Sequence, residues 1–244
     1  ESIEENASNA EIYRMNADGT DMKRLTTTPS SESNLRWIDG GNLIAFIAKD
    51  EETEKAQVFT MKPDGSGMKR VSNLENGVMC FEISPDESKI VFGSLISSED
   101  KDPALFEGLP KTSGRVINDL MYKHWDEWVT EIPHPFVADF KTGSGYEVAN
   151  ETDIMKGEPF ECPMKPFGGA ETFAWSPDSK KLVYTSRKLK GKEYAFSTDS
   201  NLYLYDLASG KTECLTEGIE GYDTNPVFSP DGSQLAWLSM ETAK

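Results

Sequence analysis

Residues 57–72 read QVFTMKPDGSGMKRVS and residues 79–94 read MCFEISPDESKIVFGS. Both have earlier counterparts, EIYRMNADGTDMKRLT at 11–26 and NLRWIDGGNLIAFIA at 34–48. The Asp18-Gly19 turn thus returns as Asp64-Gly65, 46 residues later. A second turn, Ser-Pro-Asp, stands at Ser84-Pro85-Asp86, Ser176-Pro177-Asp178 and Ser229-Pro230-Asp231, with a degenerate form at Ile38-Asp39-Gly40. Proline presets φ at the second turn position, and Asp closes the turn through its side chain. Short branched and aromatic runs flank every turn, such as Leu43-Ile44-Ala45-Phe46-Ile47, Ile90-Val91-Phe92 and Leu182-Val183-Tyr184. Such runs bounded by Pro, Gly and Asp are strands. Four of them per repeat of about 40–50 residues is the period of a β-propeller. A solenoid and a β-sandwich are the competing architectures, and a sandwich lacks this repeated turn chemistry.

The sequence therefore predicts an all-β chain, a partial propeller of about four four-stranded blades. Whole blades are expected at 33–72, 78–149 and 170–216. Half blades are expected at 11–26 and 222–239, so that a piece of a longer protein, or a ring closed by pairing its two ends, is expected. Open blade edges left by the half blades would invite self-association. Between the aspartates at 86 and 178 the spacing swells to 92 residues, which places insertions at 96–133 and 150–169. Strands alternate in direction, so both insertions are expected on one face, opposite the Ser-Pro-Asp turns. Loops on a rigid scaffold carry function.

In the first insertion, residues 115–130 have the spacing of an amphipathic helix. Ile117, Met121, Trp125 and Trp128 fall on one stripe, and Asp119, Lys123, Asp126 and Glu127 on the other. Two readings compete. Either Trp125 and Trp128 pack the helix onto the propeller with the carboxylates solvated, or Asp126 or Glu127 faces a ligand's ammonium group. The second insertion carries Glu158 and Glu161 in GEPFECPMKPFGG, stiffened by three prolines and ending in Gly168-Gly169. These glutamates are either solvated or part of a site.

The composition excludes several classes. With 25 Lys and Arg against 42 Asp and Glu the net charge is −17, a field that repels nucleic-acid backbones and anionic membranes. No apolar run approaches a membrane span of about 20 residues. Cys80, Cys162 and Cys214 lie far apart, and His124 and His134 are the only histidines, so neither a disulfide framework nor a zinc site is expected. No cofactor is expected. No G-x-S-x-G elbow occurs, since Gly143-Ser144-Gly145 lacks the spacing. The chain by itself is expected to have no catalytic residues.

The stretches LMYKHWDEW at 120–128, DIMKGEPFECPMKPFGG at 153–169 with AWSPD at 174–178, and EGYDTNPVFSPDG at 220–232 resemble the prolyl oligopeptidase family of serine peptidases. The similarity lies with its dipeptidyl peptidase 5 and acylaminoacyl-peptidase branch, as in Bacteroides-like bacteria. The Ser-Pro-Asp repeat is shared with TolB-like propellers; the inserted stretches single out the peptidase. The resemblance implies a propeller that gates a C-terminal α/β-hydrolase domain and anchors peptide substrates. It also implies an exported, periplasmic parent enzyme. Related dipeptidyl peptidases hold the substrate's free amino terminus with paired glutamates ahead of a blade's Ser-Pro motif. Glu158 and Glu161 stand in the comparable place, although they are not adjacent. The alternative is a non-enzymatic TolB-like propeller that binds another protein.

Overall fold

The computed structural model describes residues 8–97, 120–143 and 145–241, with 108 and 117 as isolated positions. The chain divides into two compact units, Glu1–Phe92 with Val137–Thr152, and Gly93–Phe136 with Asp153–Lys244.

The secondary structure is almost entirely antiparallel strands, arranged in blades. A first hairpin pairs β1 (Tyr13–Arg14) with β2 (Lys23–Arg24). One four-stranded sheet has β3 (Ser33–Ile38), β4 (Leu43–Lys49), β5 (Ala56–Met61) and β6 (Lys69–Arg70) in chain order. β7 (Cys80–Ile83) and β8 (Lys89–Ser97) begin the next sheet. A small hairpin, β9 (Lys123–His124) with β10 (Glu127–Trp128), intervenes before that sheet is completed by β11 (Glu131–Thr142) and β12 (Gly145–Asp153). The third sheet has β13 (Phe173–Trp175), β14 (Lys181–Ser186), β15 (Asn201–Asp206) and β16 (Lys211–Cys214). The last pair is β17 (Gly221–Phe228) with β18 (Leu235–Glu241). The second strand of each sheet is buried on both faces, which explains the unbroken apolar runs of β4, β8 and β14.

The repeated turns have the same hydrogen bonds each time. In the Ser-Pro-Asp turn the serine hydroxyl donates to the aspartate and accepts the amide five residues on. At Ser176 these distances are 2.6 Å to Asp178 and 2.9 Å from Lys181. At Ser229 they are 2.6 Å to Asp231 and 2.9 Å from Gln234. The residue after each aspartate has positive φ, 60° at Glu87 and Ser179 and 71° at Gly232. Hydrogen bonds from Ser229 and Ser233 hold the Asp231 carboxyl down at about 2. Ser176 is buried, so Ser176→Ala is expected to lower Tm by roughly 2–4 °C, read by thermal denaturation, through loss of one net hydrogen bond.

The Asp-Gly turns follow an equally local rule. Asp64 accepts the Ser66 amide at 2.9 Å and its hydroxyl at 2.6 Å, while Gly65 takes φ 87°. In the first unit the opening hairpin packs on the first four-stranded sheet. Ile12 joins Ile44, Phe46, Ala48 and Met61 in one buried cluster flanked by Leu25 and Phe59.

The first insertion does not form the expected helix over its described part. Residues 120–130 make the β9–β10 hairpin, and 98–107, 109–116 and 118–119 lie outside the described residues. Trp125-Asp126 is its two-residue tip, Trp125 has φ 53°, and Val129 N donates to Tyr122 O at 3.0 Å. The window YKHWDEWVT is rich in aromatic and branched residues that suit extended backbone. Cross-strand pairing also sets the Lys123 ammonium 4.5 Å above the Trp128 ring. The tryptophans therefore bury no helix face: Trp125 is 77% exposed and Trp128 is 43% exposed. The one α-helix among the described residues is a single turn, α1 (Lys192–Phe196), which the sequence pattern did not reveal.

Candidate functional site

The second unit brings the two insertions together. Residues 153–169 leave β12 and lie along the start of β11. Ile154 N donates to Pro135 O at 3.1 Å and Cys162 N to Pro133 O at 2.9 Å. Between these two bonds sits His134, fully buried. Its Nδ1 faces the Asp153 carboxylate at 2.9 and 3.0 Å, and its Nε2 donates to Glu158 O at 3.0 Å. A third tie runs from Ser186 Oγ in β14 to Glu161 O at 2.9 Å. The backbone of the loop is thus fixed on both sides of Glu158.

The two glutamates have different surroundings. Glu161 is 4% exposed, and its Oε1 lies 2.8 Å from His124 Nε2, which comes from the β9–β10 hairpin. Lys165 N donates to its other oxygen at 3.4 Å. This contact latches hairpin to loop, and above it the exposed rings of Trp125 and Phe167 meet edge-on at 5.8 Å. Glu158 is one-third exposed, and its Oε2 lies 2.5 Å from Lys188 Nζ. Asp126 and Glu127 are exposed on the hairpin, and no ion pair among the described residues involves either.

Lys188 belongs to residues 187–190, where three cations each sit over an aromatic ring. Arg187 lies 4.0 Å above Tyr194, Lys190 lies 5.6 Å from Phe160, and Lys188 lies 4.1 Å above Tyr203. Lys188 Nζ also donates to Tyr184 OH at 3.3 Å. Burial, then the negative charge of Glu158, pushes the Tyr184 phenol up. Burial, then the charge of Glu161, does the same at Tyr194. A half-open carboxylate beside two tyrosine rings is the chemistry that binds an alkylammonium.

Sequence reasoning singled out Glu158, Glu161, Trp125, Trp128, Asp126 and Glu127; the structure joins Glu161 and Trp125 to the same hairpin–loop latch. Its internal partners His124, His134 and Lys188 were not identified. The run IPHPF at 132–136 was the available signal, since a histidine between prolines inside an apolar strand requires polar partners.

No family model matches the chain. Among solved structures, TolB from Acinetobacter baumannii aligns with a TM-score of 0.54 at 14% identity, over 95% of this chain and 43% of that one. The fold is therefore that of the β-propellers. The dipeptidyl-peptidase 5 of Porphyromonas gingivalis is 46% identical over 98% of this chain and 34% of its own length. That of Porphyromonas endodontalis is 40% identical with the same coverage of both. The chain spans about a third of the length of these relatives. Along almost all of its own length, it is a homologue of the dipeptidyl-peptidase 5 proteins of the prolyl oligopeptidase family.

Proposed function

We propose that this chain is the substrate-gating and amino-terminus-anchoring propeller portion of a serine exopeptidase that cleaves short peptides. The residues that break the peptide bond would lie outside these 244 residues, in an α/β-hydrolase domain, because no nucleophile elbow occurs in the sequence. The anchor is Glu158. One observation carries this reading: Glu158 presents a partly exposed carboxylate next to the Tyr184 and Tyr203 rings, on a loop fixed by His134 and Ser186. Glu161 is too buried to meet a ligand and serves to hold the hairpin. A free α-ammonium would gain a charged hydrogen bond and a ring face at Glu158; an acylated amine would gain neither.

The test is an NMR titration of the chain into the millimolar range with glycyl-phenylalanine amide and its N-acetyl form. The free amine is expected to bind and the acetylated form not. Glu158→Gln should weaken free-amine binding roughly ten- to hundredfold, as for a lost charged hydrogen bond. Equal binding of the two peptides, or a Glu158→Gln chain that binds as tightly as the parent, would overturn the assignment.

A further inference from the structure

Resting on that reading, we propose that Lys188 is a tethered stand-in for the substrate's ammonium group: an internal competitor that the incoming amine must displace. Its head group already makes each contact proposed for the ligand. Nζ lies 2.5 Å from Glu158 Oε2, 4.1 Å from the Tyr203 ring centre and 5.5 Å from that of Tyr184. It also donates to Tyr184 OH. The two rings stack at 5.4 Å between centroids and form one wall. Both phenols are buried and both feel the Glu158 charge, so carboxylate and rings act as a single ammonium cage.

Geometry leaves this lysine able to move aside. The pair is reachable from solvent, with Glu158 one-third exposed and Lys188 keeping 16% of its side chain in contact with solvent. Lys188 also stands outside the strands, two residues past the end of β14, on a flexible four-carbon stem. The head group can leave while the backbone stays. Without a ligand the lysine satisfies Glu158 and denies the cage to solvent cations. With a ligand, only a primary ammonium that matches the same carboxylate and ring replaces it without loss. The cage therefore selects unblocked amino termini and weakens binding of every one of them by a common factor.

Lys188→Met tests the idea, because methionine retains the apolar stem against the tyrosine rings and removes the cation. In the same titration, glycyl-phenylalanine amide is expected to bind Lys188→Met roughly fivefold more tightly than the parent chain, about the strength of one partly exposed ion pair. Lys188→Arg, which keeps a competing cation, should stay near the parent affinity. Thermal melts of the variants establish that the fold persists. If Lys188→Met binds the free amine no more tightly while Glu158→Gln still weakens binding, the competitor role is overturned and the anchor survives. If Glu158→Gln changes nothing, the anchor itself is wrong and this inference falls with it. Tighter binding of the acetylated peptide to Lys188→Met would also overturn the competitor role, since the gain would then come from apolar contact.

Discussion

His134→Leu is expected to destabilise the chain by about 3 kcal/mol, a fall of roughly 6–12 °C in Tm for a chain of this size. The ring is fully buried, and both nitrogens face acceptors: the Asp153 carboxylate and the Glu158 carbonyl. Leucine fills a similar volume, so the loss comes from the polar groups it leaves behind. Asp153 keeps only the Met155 amide, at 2.9 Å, among these contacts. Leaving a carboxylate without its buried partner costs far more than the pair contributed. His134→Gln, which can donate to one acceptor, should lose less. Thermal and urea denaturation measure the effect. A loss below 1 kcal/mol for leucine would mean that the loop is held by its backbone bonds to Pro133 and Pro135 alone. The consequence for function follows from position. His134 holds the carbonyl of the residue whose carboxylate is the proposed anchor, so the same variant should also weaken binding of free-amine peptides.

How much of this was legible in the sequence depends on the range of the interactions. The blades were legible because each turn is closed within six residues: Ser176, Asp178 and Lys181 suffice for one, Asp64 and Ser66 for another. No distant residue needs to be known. The β9–β10 hairpin was misread because Ile117, Met121, Trp125 and Trp128 fit a helical stripe, while a window this short does not separate that period from paired strands. What decided the outcome includes His124 meeting Glu161, 37 residues away in the chain. The same limit hid Lys188, which meets Glu158 from just past the end of β14. Glu158 and Glu161 could be picked out as polar residues in a stiff insertion. That one of them is buried and the other half-open is a tertiary fact that no local pattern carries.

Stiffness of that insertion is itself measurable. Gly168→Ala is expected to cost about 2 kcal/mol, through overpacking that rotamer changes cannot relieve. A Cβ at this position would stand 2.5 Å from the Met164 carbonyl oxygen and 2.8 Å from the Met164 nitrogen. Both atoms are backbone, and Gly168 N already donates to that same carbonyl at 2.8 Å. Relief therefore requires residues 164–168 to move apart, which breaks the turn carrying Phe167 to Trp125. Gly169→Ala is the control. Its Cβ would meet Glu171 Oε2 at 2.9 Å, the far end of a side chain that can swing away. Thermal denaturation should separate the two variants by roughly 4–8 °C. In Gly168→Ala the Trp125 indole resonance should shift as its edge contact with Phe167 is lost. Equal melting of the two variants, with Trp125 unmoved in both, would mean that the loop yields easily. A loop that yields would not keep Glu158 in place against the tyrosine wall, so the rigidity measured at Gly168 bears directly on whether the cage is preorganised for an amine.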